Sequence, residues 1–576
     1  MNMRHVLVIC WLLACRPAVA ADYLFRNGKS DYSIVVAGDA SATEQTAAHE
    51  LQDYLWQAGG VRLPMRKAPV AGGRHIFVGY SKWVAARTHA PAPADADEAF
   101  TYVCLDRQLY IYGGRERGTM YGVYTFLERE LGIHWLTSDC TVVPRLQRLA
   151  LKPMRYADRP VFRTRLNFHY DALTHNDWVA HNRQNEQYLL ADTPYGHLYS
   201  YWGMHTFEVL MPPDKYFRKH PEYYSLWQGR RSADAQLCLS NAAMRRELIR
   251  NLKETIASNP GYWCYDVSQN DKPGACECRL CRQLEQQYGG PSGAMIWFVN
   301  QVAAEIRKSY PDVYIGTFAY LYTRKAPAAN IRAADNVVVR LCDIECCMAH
   351  PLETCLQNRD FIRDLRQWNK VARNIYIWDY ATGFANYLLP FPNFRAMAAN
   401  LRLFSRSNVI GMMVEGNHNA PWGEFSELKQ WMTAQLLWNP RQDADSLASL
   451  FIAAYYGKAA PYVQQYYELC NKAVTPDLHF NIQLDWNSRL FDDPFLEKAA
   501  GLLNAAEKTA QGNAETKKRV QRIKAQLVYL KVRRQPARSA ADGTLQELKR
   551  IIASDGTLIR ENEYKLADLL RDLHYY

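Results

Sequence analysis

The 576-residue chain carries no run of like charge. Its formal net charge of +11 is spread along the whole length, so the basic stripe of a nucleic-acid-binding surface is missing. Beyond the N-terminus it has no uninterrupted apolar stretch of the roughly 18 residues a membrane helix needs. It also lacks a metalloprotease HExxH, a nucleophile-elbow GxSxG and a dinucleotide GxGxxG in the right setting. The glycine-rich Gly113-Gly114-Arg115-Glu116-Arg117-Gly118 has neither the lysine nor the hydroxyl of a phosphate-binding loop. No fixed-period repeat or low-complexity tract is visible. The sequence thus gives no sign of a nucleic-acid footprint, of a membrane-crossing helix beyond the N-terminus, of a phosphate-binding loop or of those hydrolytic and dinucleotide fingerprints.

Aromatic residues, by contrast, are plentiful, with Trp 15 and Tyr 37. Such rings fill large cores and also stack on the apolar faces of sugars, so their placement decides. Met1-Asn2-Met3-Arg4-His5 leads into the apolar run Val6 to Ala14, the pattern of an export signal over residues 1–20. Ala18-Val19-Ala20 is a small-x-small cleavage site, and Leu12-Leu13-Ala14-Cys15 is a competing lipobox that would leave Cys15 as an outer-membrane lipid anchor. An exported periplasmic or cell-surface protein is expected. Of the 14 cysteines, all but Cys10 and Cys15 lie beyond that leader, where disulfides form readily. Cys276, Cys278 and Cys281 form a C-x-C-x-x-C run that also reads as a zinc signal without a local fourth ligand, and Cys342, Cys346, Cys347 and Cys355 form a second cluster. Disulfides, structural metal and plain buried thiols all stay open; neither cofactor nor catalytic metal is expected.

The periodicity divides the mature chain in three. Residues 21–155 alternate strand-like and helical stretches as a small α/β domain. Residues 156–425 show short β-rich runs separated by helix-bearing segments. Seven strands are expected near Arg163–Phe168, Ser200–Met204, Trp263–Val267, Tyr314–Ala319, Val337–Leu341, Ile375–Trp378 and Val409–Val414, with an eighth near Asn185–Leu190. That is the pattern of an α/β fold of (β/α)8, TIM-like type, because polar residues recur just after the strands, where barrel active sites are built. Residues 426–576 read as a helical C-terminal domain with apolar i, i+3, i+4 spacing and no residue that looks catalytic.

The strand ends carry Asn270-Asp271, Asp343 and Glu345, Asp379, and Glu415-Gly416-Asn417-His418-Asn419. Several convergent carboxyls are the raw material of glycosidic cleavage, which needs a protonated acid at the leaving oxygen and a second group facing an oxocarbenium-like centre. Asp271 follows a stretch rich in aromatics that would desolvate it, making it the first acid candidate. Asp343 and Glu345 share a side if the strand continues. Glu415 precedes Gly416, which would admit a sugar close to the backbone. Catalytic candidates are thus Asp271, Glu345 and Glu415. Asn270, His205, Tyr320, Asp343, Trp378, Asp379, Tyr380, Asn417, His418 and Trp422 are candidates for substrate binding, with Trp202, Phe318, Tyr322, Asn386 and Tyr387 of the same types nearby.

Gly113 to Gly122, continued by Phe126-Leu127-Glu128 and Gly132-Ile133-His134-Trp135, resembles the α-glucuronidase-like N-terminal domain that precedes many glycosidase barrels. His220-Pro221-Glu222-Tyr223-Tyr224, Gln269-Asn270-Asp271 with the three following cysteines, Ile344-Glu345-Cys346-Cys347 before His350-Pro351-Leu352, Trp378-Asp379-Tyr380 with Pro390 and Pro392-Asn393, and Tyr455-Tyr456-Gly457 complete a constellation. Together they resemble a large bacterial family, long labelled a domain of unknown function, abundant in glycan-utilisation loci of gut Bacteroidetes. The resemblance implies relation to endo-β-N-acetylglucosaminidases that cut the core of complex N-glycans with the substrate's acetamide as nucleophile. Carried over, Asn270 would hold the acetamide and Asp271 would protonate the leaving oxygen, with Glu345 or another residue stabilising the oxazoline. The other readings are an α-glucuronidase-like or other exo-glycosidase, with Arg163, Arg165 and Arg340 facing a uronate, and a non-catalytic glycan-binding protein.

Overall fold

The computed structural model describes residues 22–190 and 193–574; the leader, its cleavage site and Cys15 lie outside the described residues. The chain divides into two compact units, one running to Gly132 and including Val143–Ala157, the other formed by Ile133–Val142 and everything from Asp158.

In the first unit a six-stranded sheet is built around parallel strands Tyr32–Val36, Arg74–Val78 and Gln108–Gly113, with Phe100–Leu105 antiparallel to the last. The helix Ala42–Gly59 starts at a capping box, Ser41 accepting from the Glu44 amide at 3.1 Å and Glu44 accepting from the Ser41 amide at 2.9 Å. The glycine-rich loop leads into Gly118–Leu131. Its glycines are there for packing: a Cβ on Gly113 would stand 2.5 Å from the Ala99 carbonyl, and one on Gly118 2.5 Å from that of Asp97.

The second unit holds the barrel. Its strands are β1 (Thr164–Phe168), β2 (Glu186–Gln187), β3 (Tyr199–Trp202), β4 (Cys264–Asp266), β5 (Tyr314–Ala319), β6 (Val337–Cys342), β7 (Ile375–Tyr380) and β8 (Val409–Glu415), all parallel in the order β1-β8-β7-β6-β5-β4-β3-β2. The barrel is nearly closed. Between β1 and β2 the side chain of Asn185 replaces a ladder, accepting from the Arg165 amide at 2.9 Å and donating to the Arg163 carbonyl at 2.7 Å. All seven expected strands are present, and the eighth is the two-residue β2.

Between β3 and β4 a long excursion carries α1 (Ala242–Ser258), whose buried Met244, Leu248, Leu252 and Ile256 recur every fourth residue, the stripe of a helix with one face against a core. Asn241 caps it, accepting from the Ala243 and Met244 amides at 3.0 Å each. The outer ring continues with α2 (Arg279–Tyr288), α3 (Pro291–Arg307), α4 (Arg359–Val371) and α5 (Phe394–Phe404). After β8 come α6 (Ser426–Trp438) and further helices to Leu566–Asp572, and their apolar residues share one continuous core with the barrel. Among the described residues no helix is long and apolar enough to cross a membrane.

One buried ion pair joins barrel and α6. Lys429 lies 2.7 Å from Glu424, both 2% exposed or less, and its ammonium also donates to the carbonyls of Ala381 and Phe391 at 2.9 and 2.7 Å. Those carbonyls belong to the long segment that leaves β7, so the pair fixes one side of the barrel mouth. Burial pushes the Glu424 carboxyl up to about 7, against the pull of Lys429.

The barrel lumen is plugged below the mouth. The guanidinium of Arg340 lies 3.7 Å from the Tyr201 ring centre and 4.8 Å from that of Tyr376. Tyr376 donates to Glu186 at 2.9 Å and Tyr201 to Asp266 at 3.2 Å. A cation sheathed in aromatic faces and bracketed by two buried carboxyls thus fills the lumen as part of the barrel core.

Candidate active site

Strand alternation decides which strand-end residues face the lumen. On β6 the inward set is Val338, Arg340 and Cys342, continued by Ile344; on β7 it is Tyr376, Trp378 and Tyr380; on β8 it ends at Glu415. Above the Arg340 plug these residues open into a cavity of about 610 Å³, lined among others by Phe168, Tyr188, His205, Asp271, Phe318, Tyr320, Trp378, Tyr380, Glu415, His418 and Glu561. Such a volume lies within the range of small-ligand sites. Three carboxyls, two imidazoles and an aromatic wall meet there, and among the described residues no lysine or arginine lines it.

Glu415 is buried at 5% exposure. Desolvation, reinforced by the charge of Glu561, pushes its carboxyl up to about 8. The indole N–H of Trp378 donates to Glu415 Oε2 at 2.7 Å and pulls the other way. His418 Nδ1 lies 3.4 Å from Oε1, and burial pulls that imidazole down. A neutral acid beside a neutral imidazole is therefore the resting state near pH 7. Gly416 admits no sugar: the ring of buried His169 occupies the space a Cβ would need.

Asp271 stands on the loop after β4 and is exposed, so the expected desolvation by neighbouring aromatics is not found. Tyr320 donates its hydroxyl to Asp271 Oδ1 at 3.0 Å. Gln236 grips this loop, accepting from the Asn270 amide at 2.9 Å and donating to the carbonyls of Asn270 and Lys272 at 3.0 and 2.6 Å. The side chain of Asn270 accepts from the Glu208 amide at 3.0 Å and is a loop brace away from the cavity lining. His205 adopts a left-handed φ of 55° and its Nδ1 meets the Gln269 carbonyl at 2.8 Å, which places the ring hydrogen on Nδ1 and leaves Nε2 as an acceptor.

The remaining candidates separate. His205, Tyr320, Trp378, Tyr380 and His418 line the cavity, as does Phe318. Asp343 and Asp379 do not: each follows or interrupts an inward-facing series at the opposite parity, and both are buried at 1% exposure or less. Burial and the adjacent Asp379 carboxyl push Asp343 well up, while Asp379 rises to about 6, chiefly through burial. They behave as a pair holding one proton behind the strands. Glu345 is exposed, outside the cavity lining, and paired with Arg324 at 2.6 Å. Asn417 donates to the Ala420 carbonyl at 2.7 Å, and Trp422 is fully buried. Arg163 and Arg165 flank the start of β1, at the end of the barrel opposite the mouth, and Arg340 is the plug, so none of the three faces a uronate there.

Glu561 was not foreseen. It arrives from the C-terminal segment, held by the side-chain amide of Asn419 donating to its backbone carbonyl at 2.6 Å, and its carboxyl is raised by burial and by the charge of Asp271. Isolated in a polar stretch, it has no periodicity or motif to mark it. Phe168, at the end of β1, is a lining residue absent from the sequence-derived candidates, although the strand-end rule marks it. Glu415, His418 and Glu561 present ligand atoms within 4.8 Å of one another, a set that could take a divalent cation in competition with the Glu415 proton.

An eight-stranded parallel barrel whose acidic, aromatic cavity opens at the C-terminal ends of the strands has its candidate site where barrel enzymes build theirs. Residues 135–468 match the family described as "Domain of unknown function (DUF4838)", and the chain belongs to that family. No curated protein matches it in sequence. Among solved structures it is similar to a family GH115 4-O-methyl-α-glucuronidase with specificity for decorated arabinogalactans, at 10% identity and a TM-score of 0.58, over 92% of this chain and 76% of that one. It is also similar to a family 89 glycoside hydrolase from Clostridium perfringens solved with GlcNAc-α-1,4-galactose, at 9% identity and a TM-score of 0.53, over 90% of this chain and 65% of that one.

Proposed function

We propose that the chain is a retaining glycoside hydrolase, an endo-β-N-acetylglucosaminidase releasing complex N-glycans from glycoproteins, in which Glu415 is the proton donor. The observation that carries the reading is the buried Glu415 carboxyl, held protonated near neutrality on the wall of an aromatic cavity that also presents the solvent-open Asp271. A general acid must keep its proton until the leaving oxygen needs it, and burial of a carboxyl achieves that. The substrate class rests on the resemblance of the sequence marks to that family. That no lysine or arginine stands among the described lining residues favours a neutral sugar over a uronate. The leader-like N-terminus supports an exported protein.

In this reading Trp378, Tyr380 and Phe318 stack on the sugar. Glu415 passes its proton to the glycosidic oxygen as the bond to the anomeric carbon breaks. The acetamide oxygen of that N-acetylglucosamine, a group of the substrate itself, attacks the same carbon, and the Asp271 carboxylate faces the positive charge of the resulting oxazolinium ring. Water then opens the ring, giving its proton to the Glu415 carboxylate. The role of proton donor thus passes from Asp271, the candidate by sequence, to Glu415.

The test is incubation of the purified protein with complex and high-mannose N-glycoproteins, with released glycans read by mass spectrometry. Glycans ending in a single reducing N-acetylglucosamine are expected. Release of single terminal sugars, or no release while glycans still bind, would replace the reading by an exo-acting or a non-catalytic one.

A further inference from the structure

Two clusters of thiols and imidazoles outside the cavity are unaccounted for by glycoside cleavage. We propose that both are structural zinc sites and that each pins one wall of the cavity.

The first gathers Cys238 from the excursion between β3 and β4 with Cys276, Cys278 and Cys281, the last on the first turn of α2. Cys238 is the fourth ligand that the C-x-C-x-x-C run lacks locally. All four sulfurs lie within 4.8 Å of one another, with Cys238 at 3.7 Å from Cys278 and 3.9 Å from Cys281. A zinc ion with four thiolates at about 2.3 Å sets them about 3.8 Å apart at the corners of a tetrahedron. A disulfide would need one pair at about 2.05 Å, and it would gather two sulfurs rather than four. All the described cysteines are unpaired as disulfides. The surroundings suit thiolates: the Leu226 amide donates to Cys276 Sγ at 3.3 Å, and Arg231 approaches the same sulfur at 3.8 Å. Cys238 is two residues beyond Gln236, whose side chain holds the backbone on either side of Asp271. The site therefore anchors the loop that presents Asp271.

The second cluster brings Cys347, His350 and Cys355, from the segment after β6, to His479, more than a hundred residues later. The four ligand atoms again lie within 4.8 Å of one another. Cys347 Sγ is 3.3 Å from His479 Nδ1 and 3.6 Å from His350 Nδ1, and Cys355 Sγ is 3.7 Å from His479 Nδ1. Zinc held by two sulfurs and two nitrogens sets S and N about 3.5 Å apart. His350 Nε2 lies 3.2 Å from the Thr475 carbonyl, a partner that can only accept. The hydrogen therefore sits on Nε2, and Nδ1 turns its lone pair to the cluster, the tautomer a ligand requires. Three and four residues past His479 the chain supplies Ile482 and Gln483 to the cavity wall. Binding at either site exchanges the thiol protons for the ion.

The test is metal content by mass spectrometry on protein purified without metal-affinity resin, together with thiol titration in denaturant and chelator. Two zinc ions per chain, with every described cysteine titrating as a free thiol, is the expected result. C238S/C281S and H350A/H479A should each lower the count to one. Protein grown with cobalt should show thiolate-to-cobalt charge-transfer bands of both a four-sulfur and a two-sulfur site, which needs no variant to fold. Metal-free protein overturns the proposal, whether its thiols are free or joined in disulfides, and a count of one that only one double variant abolishes overturns the other site.

Discussion

The indole N–H of Trp378 reaches Glu415 Oε2 at 2.7 Å, so an aromatic ring of the cavity wall also sets the proton affinity of the acid beside it. The bond stabilises the ionised form and opposes the burial that raises the carboxyl to about 8. W378F keeps an aromatic face and loses the donor. The alkaline limb of kcat/KM should move to higher pH in this variant, with KM raised only a few-fold; an unmoved limb would detach Glu415 from the acid role.

Replacing Glu415 by Gln should lower kcat by 10²- to 10⁴-fold, the usual contribution of a general acid. It should also stabilise the fold. Because the folded-state pKa is raised, the wild type loses stability as pH rises from about 4.5 towards 8, on the order of 3 kcal/mol by pH 7. E415Q carries no such cost, so its thermal midpoint should exceed that of the wild type above neutrality and converge with it near pH 4. Parallel unfolding curves across this range would contradict the assignment.

Asp343 lies behind the barrel wall, so D343N should retain turnover within a few-fold of the wild type. It should gain stability in alkaline buffer, where the buried Asp343–Asp379 pair is forced to surrender its shared proton. A loss of activity comparable to that of E415Q, with the fold intact, would return Asp343 to the site.

K429M leaves Glu424 buried without its partner, and a cost of about 3–5 kcal/mol is expected in denaturant unfolding. K429M/E424L should recover much of it. Equal destabilisation of the single and double variants would show that the bonds from Lys429 to Ala381 and Phe391, rather than the charge pair, hold that side of the mouth.

The barrel was legible because βα alternation survives in the sequence: all eight strands were located, even the two-residue β2, and Tyr314–Ala319 was placed to the residue. Parity at strand ends was harder. Asp343 and Asp379 sit at strand ends like Glu415, yet one step along a strand turns a side chain to the other face, and only the registered inward series of Trp378, Tyr380 and Cys342 shows which step is which. Asn417 and Trp422 fell to the same ambiguity in a loop, where no period exists. Glu561 and Cys238 are long-range arrivals, brought to their sites by tertiary packing, and local pattern carries no trace of them.

Leaving-group dependence isolates the proton donor. For aryl glycosides of the released glycan, with phenols of graded acidity, E415Q should fail on poor leaving groups and regain most of the wild-type rate on dinitrophenol, which departs without protonation. D271N should lose rate evenly across the series. If D271N is the variant rescued by the good leaving group, or if E415Q is impaired equally on every phenol, Glu415 is not the acid.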